Sequence, residues 1–278
     1  MNLEDHLGDI LRKARRAAGV PAEVVARTIG LSSSAYAALE ESGRVESRIP
    51  LNRVAPLLGL DAIKLEGIAA GWRPRTRDLA QWRHLEMVAT TEGGNTVNAF
   101  LVWDPSTREA ALFDTGWEAR PLLELLERHA LCLRSILLTH SHHDHVAGLE
   151  TLRRAVPAAQ VFVGGGPSEP HGGLVLGQLR ISRQPVGGHA EDGVIYVVRG
   201  WFEAAPAVAV VGDTLFAGSI ASGFISWEVL KHQVREHILV LPAETLICPG
   251  HGPVTTVAEE WAHNPFFGPR GSSPASPP

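Results

Sequence analysis

The sequence contains few cysteines and no long apolar run, and each shortage excludes a class of protein. Cys132 and Cys248 are its only cysteines and lie far apart, outside any Cys-x-x-Cys pair, so neither a disulfide framework nor a thiolate zinc site is predicted. A membrane span is not expected, because no stretch of about eighteen apolar residues is present. The opening residues MNLEDHLGDI are acidic rather than basic and then apolar. They do not resemble a signal peptide, and a cytoplasmic protein is predicted.

A pronounced excess of positive charge is also missing. Residues 1–75 carry eleven Lys and Arg against nine Asp and Glu, a net charge of +2, and the remainder carries 14 against 21, a net charge of −7. Neither part has the basic excess typical of nucleic-acid-binding proteins. With 278 residues, 45% of them hydrophobic, the chain is long enough for two folded domains.

The first seventy residues have the pattern of consecutive short helices. Apolar positions recur at helical spacing, and Gly19, Gly30 and Gly43 stand where three successive helices should end. Ser32 is placed to cap the third helix. This order of helices, with the tight turn IGLSSS before the third, resembles the helix-turn-helix domain of the phage-repressor (XRE) family. The resemblance implies an all-α bundle over residues 1–70 that binds DNA.

The third helix offers little for reading bases. Arg, Lys, Asn and Gln are the usual base-reading side chains, but this helix carries only Ser, Ala, Tyr, Leu and Glu. DNA contacts are therefore predicted at Ser33, Ser34, Tyr36 and Arg44. The alternative is a helical module that serves docking or dimerisation, with a homodimer as the candidate assembly.

A different pattern begins after this helical part. Residues 71–81 mix Pro, Gly and Arg without an apolar period and are predicted to be a linker. Short β-type runs and helical stretches then alternate, which predicts a layered domain over residues 82–268. The Pro- and Ser-rich residues 269–278 are predicted to be a disordered tail. The fold class predicted for the whole chain is α+β, in two domains.

The most informative stretch is LLTHSHHDHVAG, which follows a predicted buried strand. It places His140, His142, Asp144 and His145 in the order His-x-His-x-Asp-His. A strand end followed by a tight turn can bring several side chains together at one rim. Neutral imidazoles and carboxylates are good ligands for Zn²⁺ or Fe²⁺.

This spacing resembles the signature of the metallo-β-lactamase superfamily, and matching residues follow downstream in the stretches GGHAEDG, VVGDTLFAGS and LICPGHGP. The resemblance implies an αββα sandwich that holds two metal ions, with Zn²⁺ expected and Fe²⁺ as the alternative. It assigns the first metal to His140, His142 and His189, the second to Asp144, His145 and His251, and the bridging position to Asp213. His143 stands in the motif's variable position and is expected to lie outside the ligand set.

Within the superfamily, the stretches around these residues look most like short glyoxalase II-type enzymes. The resemblance implies a hydrolase that uses a metal-bound hydroxide, with Asp144 as a catalytic residue, on a small thioester or related acyl ester. Glu191 and Asp192 follow His189 directly and should disfavour an anionic substrate beside the metals.

Two other functions remain open at this point. One is a transcriptional regulator in which the metallo-β-lactamase fold senses a ligand and the helical module binds DNA. The other is a persulfide dioxygenase with a single iron held by His140, His189 and Asp213. A chain in which catalysis relieves repression would combine the hydrolase and the regulator.

Overall fold

The computed structural model describes residues 2–44, 48–75, 79–164 and 173–268. The predicted disordered tail, residues 269–278, and part of the predicted linker, residues 76–78, lie outside these ranges. Five α-helices come first: α1 (Leu7–Ala17), α2 (Ala22–Ile29), α3 (Ser33–Ser42), α4 (Leu51–Val54) and α5 (Ala62–Ala69), with a 3-10 turn at Pro56–Leu58.

The helix ends follow the sequence signals. Gly30 and Gly43 end α2 and α3 with φ values of 76° and 68°, in the left-handed region that glycine adopts without strain. The Ser32 hydroxyl accepts a hydrogen bond from the Ala35 amide at the start of α3. An XRE-type helix-turn-helix function for these helices stays a prediction.

Tyr36 does not occupy the position that DNA contact requires. Ser33, Ser34 and Arg44 are exposed, but Tyr36 is only 1% exposed and belongs to the hydrophobic core. Burial raises the pKa of its phenol. The predicted contact between Tyr36 and bases is therefore contradicted, because this ring faces into the protein.

The rest of the chain forms two facing β-sheets and a short hairpin. The first sheet has the order β1 (Leu85–Glu92), β2 (Asn95–Trp103), β3 (Glu109–Phe113), β4 (Cys132–Leu137), β5 (Gln160–Phe162). The second has the order β13 (Thr255–Thr256), β12 (Leu246–Pro249), β9 (Val208–Gly212), β8 (Val194–Arg199), β7 (Leu179–Pro185), β6 (Leu174–Leu176). Strands β10 (Leu215–Phe216) and β11 (Ser219–Ile220) pair as the hairpin.

Helices cover both outer faces of this sandwich. They are α6 (Arg120–Arg128), α7 (His143–Val146), α8 (Leu149–Ala155), α9 (Trp227–Gln233) and α10 (Val257–His263), with 3-10 turns at Leu79–Trp82 and Phe202–Ala204 and a π-helical turn at Val234–Ile238. Phe100, Phe113 and Tyr196 fill the space between the sheets. Leu122 of α6 and Leu152 of α8 pack with strand residues in a second cluster. The layers run helix, sheet, sheet, helix, consistent with the predicted α+β sandwich.

The five N-terminal helices share a hydrophobic cluster with the second sheet. This cluster contains Ile10, Leu39 and Leu65 from the helices together with Val197 and Ile247 from the strands. The division of the chain into two domains at residues 71–81 stays a prediction.

Polar contacts also join the helices to the sandwich. The Lys64 ammonium donates to the Trp261 carbonyl at 2.7 Å, and the Asp61 amide donates to the Pro265 carbonyl at 2.8 Å. The Trp72 ring stacks on the His263 ring with centroids 4.6 Å apart. None of the helices formed by the described residues combines the length and apolar character needed to cross a bilayer.

Candidate metal centre

The predicted ligands lie where strands end at one rim of the sandwich. His140 and His142 follow β4, Asp213 follows β9 directly, and His251 follows β12. Because β9 and β12 are parallel neighbours, their carboxyl ends lie at the same edge. His189 reaches this rim from the loop between β7 and β8.

The first group of ligands contains three histidines and an aspartate. His140 Nε2 lies 2.9 Å and His189 Nε2 lies 3.2 Å from His142 Nδ1. His189 Nε2 is also 3.7 Å from Asp213 Oδ2. Three ring nitrogens and one carboxylate therefore converge on a single point, as the first predicted metal position requires.

The second group lies beside the first and shares Asp213 with it. His251 Nε2 is 3.3 Å and His145 Nε2 is 4.0 Å from Asp144 Oδ2. The two oxygens of Asp213 approach this pair as well, with Oδ1 at 3.3 Å from His145 Nε2 and Oδ2 at 3.4 Å from His251 Nε2. All seven predicted ligands are thus brought together, and Asp213 lies between the groups.

Four of the histidines have their outward ring nitrogen held by an oxygen acceptor. His145 Nδ1 lies 2.8 Å from Asp114 Oδ2. His189 Nδ1 lies 3.0 Å from the Ser222 carbonyl oxygen, and His251 Nδ1 lies 2.6 Å from the Thr96 carbonyl oxygen. The fourth, His140 Nδ1, lies 3.0 Å from the Thr139 hydroxyl, which itself donates to Asp114. Each contact places a ring proton on the outward nitrogen, so that in the neutral ring the inward nitrogen carries the lone pair that a metal ion binds.

The inward-facing atoms fit metal ions. His145 Nε2 and Asp213 Oδ1 are buried without a hydrogen-bond partner among the described residues, which is costly unless a cation occupies the space between them. Burial opposes charge on the His145 ring, yet the carboxylates of Asp213 and Asp114 raise its pKa to about 10. Burial likewise opposes charge on His251, and hydrogen bonds to Asp144 and Asp213 raise its pKa to about 11. The carboxylates that hold a second proton on these two rings would hold a metal cation in its place, whereas burial lowers the pKa of His140 to about 3.

Asp114 also supports the metal site, a role that the sequence motifs did not predict. Its side chain contacts His145 Nδ1 and accepts from the Thr139 amide at 2.7 Å, so it connects the loops that carry His140 and His145. It is 1% exposed and has a φ of 57°. The available signal was its position at the end of the apolar strand EAALFD.

Two other side chains clarify the limits of the site. Asn98 Nδ2 donates to the Pro249 and Gly252 carbonyls at 3.1 and 2.9 Å, which anchors the loop that carries His251. His143 is exposed and packs against the Trp117 ring with centroids 5.6 Å apart. As expected from its place in the motif, it belongs to neither group of ligands.

Gly250 gives a direct test of where the metals lie. A Cβ there would sit 2.3 Å from Asp213 Oδ1 and 2.6 Å from His145 Cε1. We expect Gly250→Ala to displace these ligands and weaken metal binding about tenfold, within the range seen when groups that support ligands are altered. Competition with a chromogenic chelator measures the affinity.

The matched control is Gly67→Ala in α5, where an added Cβ would meet no atom within 4 Å. It should leave metal affinity unchanged. Wild-type affinity in the Gly250→Ala variant would contradict the assigned ligand set.

Comparison with known proteins agrees with this geometry. Residues 93–206 match the family model of the metallo-beta-lactamase superfamily. A hydroxyacylglutathione hydrolase from Cereibacter sphaeroides is 35% identical over 162 residues, which cover 55% of this chain and 61% of that protein. The chain spans about three fifths of the length of such relatives.

Solved structures show the same fold. The BLEG-1 B3 metallo-beta-lactamase has a crystal structure that superimposes on this chain with a TM-score of 0.56, and the two sequences are 26% identical. The match covers 66% of this chain and 98% of the lactamase chain. The crystal structure of TTHA1623 in a di-iron-bound form is 28% identical with a TM-score of 0.53, covering 65% of this chain and 100% of that one. Residues 93–206 of this chain are therefore similar in sequence to the metallo-beta-lactamase superfamily, and the sandwich to which they contribute is similar in fold to these solved structures.

Proposed function

We propose that the protein is a metal-dependent hydrolase of thioesters or related acyl esters. The observation that carries this proposal is the pair of ligand groups that share Asp213, because such a pair suits two cations side by side. The similarity to hydroxyacylglutathione hydrolases supports a thioester as the substrate.

The donor set suits zinc and iron equally. Five imidazoles and two carboxylates, without a thiolate, are good ligands for either ion. The di-iron form of TTHA1623 supports iron as an alternative to zinc. When bound, two such cations would polarise the substrate carbonyl and make a water molecule between them more acidic.

The residues around the ligands suit attack by water. The cavity of about 400 Å³ above the ligands has Ser222 as its only hydroxyl-bearing side chain and no cysteine among the described residues that line it. We assign to the Asp144 carboxylate the role of orienting the attacking water by accepting its hydrogen bond. Asn95 Nδ2, 3.4 Å from Asp144 Oδ2, helps to hold that carboxylate.

Aromatic rings border the same cavity. The Phe216 ring lies 5.8 Å from the His251 ring, and the Phe224 ring lies 5.3 Å from the His189 ring. Their apolar surfaces can hold the acyl chain and exclude water from the reacting carbonyl.

Elemental analysis and two assays on one purified sample test the proposal. We expect about two zinc or iron ions per chain, thioester hydrolysis that a chelator abolishes, and recovery of hydrolysis when the metal is restored. A single iron with persulfide-dependent oxygen uptake and no hydrolysis would instead identify the dioxygenase. DNA binding stays a prediction, tested by a gel shift at low salt with and without chelator.

A further inference from the structure

The cavity above the metal ligands continues along α1. A second cavity of about 550 Å³ lies next to it, and both are lined by Arg12, Lys13, Ser222 and Phe224. Together they form one cleft that runs outward from the ligands. One wall of this cleft is α1, and the other is the loop of residues 221–226.

Charge is unevenly distributed along the cleft. Carboxylates of Glu4, Asp5 and Asp9 line the part near the ligands. The outer part is lined by three cations, Arg12, Lys13 and Arg16, and by no carboxylate among the described residues. The outer part is therefore the end that attracts an anion.

The three cations differ in how free they are to bind a ligand. Lys13 pairs with Asp5 and donates to the Ile220 carbonyl at 3.0 Å. Arg12 pairs with Asp9 and donates to the Glu40 carbonyl at 3.0 Å. Arg16 is exposed and has no side-chain partner within the described part of the chain. The N–H groups of the Arg16 guanidinium are therefore available to bind a ligand.

An exposed aromatic side chain connects the two parts of the cleft. Phe224 lines both of them and is 70% exposed, which is unusual for a phenylalanine held in a fixed loop. The amides of Ile225 and Ser226 donate to the Gly188 carbonyl at 3.0 and 3.1 Å and hold this loop. Trp227 adds a second aromatic surface to the outer part.

The acidic pair that follows His189 lies outside the lining of the cleft. Glu191 and Asp192 follow His189 in the sequence, but neither lines either part of the cleft. The Asp192 carbonyl instead lies against Gly164, where an added Cβ would be 1.5 Å away. That this pair disfavours an anionic substrate directly beside the metals stays a prediction, and the pair does not line the outer part of the cleft.

We propose that α1 is the substrate-binding wall of the site, and that the substrate is a thioester or acyl ester that carries an anionic group. The carboxylate or phosphate of this group lies against Arg16, and the chain between it and the reacting carbonyl lies on Phe224. This proposal rests on the proposed hydrolase function and deepens it by naming the charge class of the substrate.

Binding of unreactive analogues to the metal-loaded protein tests the proposal without turnover. The probes are three hexyl thioethers that end in a carboxylate, a phosphate or a neutral amide, and calorimetry measures their Kd. We expect the wild-type protein to bind the better of the two anions about tenfold more tightly than the amide, in line with a charge-assisted hydrogen bond. The better anion identifies the natural group.

Two variants locate the effect. Arg16→Ala should remove most of the preference for the anion, whereas Arg27→Ala, an exposed arginine of α2 outside the cleft, should keep it. In any hydrolysis assay, Arg16→Ala should raise KM for an anionic thioester and leave kcat unchanged.

Equal binding of amide and anions by the wild-type protein would overturn the proposal, as would an intact preference in Arg16→Ala. Preference for an anion without any hydrolysis would count against the hydrolase function alone. The two proposals therefore fail separately.

Discussion

Asp213→Asn should remove both metals and lower thioester hydrolysis about a thousandfold, since the metals supply several kcal/mol of transition-state stabilisation. Asp213 lies within 3.3 to 3.7 Å of His145, His251 and His189, so both ligand groups depend on its charge. The amide keeps the shape of the side chain but loses the negative charge that offsets two cations. Elemental analysis of the purified variant and steady-state assays measure the two losses.

Asp104→Asn is the matched control. Asp104 is also buried, at 2% exposure, but it accepts hydrogen bonds from the Ser106, Thr107 and Gln178 amides outside the metal site. Its neutralisation should cost stability and leave the metal content intact. If Asp213→Asn retained two metals and full activity, the shared-ligand arrangement would be refuted.

Ile68→Ala should lower the free energy of unfolding by about 2 to 5 kcal/mol, the range for truncating a buried isoleucine. Ile68 is 6% exposed at the end of α5, and its Cδ1 would be 2.8 Å from a Cβ added at Gly218 of the sandwich. The truncation leaves a cavity where the helices meet the sandwich. Urea unfolding of the metal-loaded protein gives the change.

Ile63→Ala on the same helix controls for helix propensity and composition, because Ile63 is 83% exposed. It should change the free energy of unfolding by about 0.5 kcal/mol or less. Equal small effects at both positions would show that the helices do not depend on this contact with the sandwich.

Much of the candidate metal centre could be predicted because its residues are local in sequence or follow apolar strands. His140, His142, Asp144 and His145 lie within one short stretch, and a strand end needs only a turn to converge them. The distant ligand Asp213 could be assigned only through the resemblance, because no spacing rule joins it to the motif.

Other features depend on long-range packing that no local pattern encodes. Asp114 acquires its role only when its strand lies beside β4, where it meets Thr139 and His145. The position of α1 along the cleft depends on how the N-terminal helices pack against the second sheet, which no local sequence pattern indicates. The burial of Tyr36, in contrast, follows from a local pattern, because Tyr36 precedes the buried Leu39 by three residues and so shares its helix face.

The contact between Lys13 and the Ile220 carbonyl joins residues 207 positions apart, and that between Lys64 and the Trp261 carbonyl joins residues 197 positions apart. During synthesis the helices leave the ribosome before the strands and loops that bury their apolar faces. Such distant contacts form late in folding, since long loops must close before they can form. The cleft beside the metals is thus completed by α1 and by a loop more than 200 residues downstream, and the nascent helices expose apolar surface until that part of the chain is made.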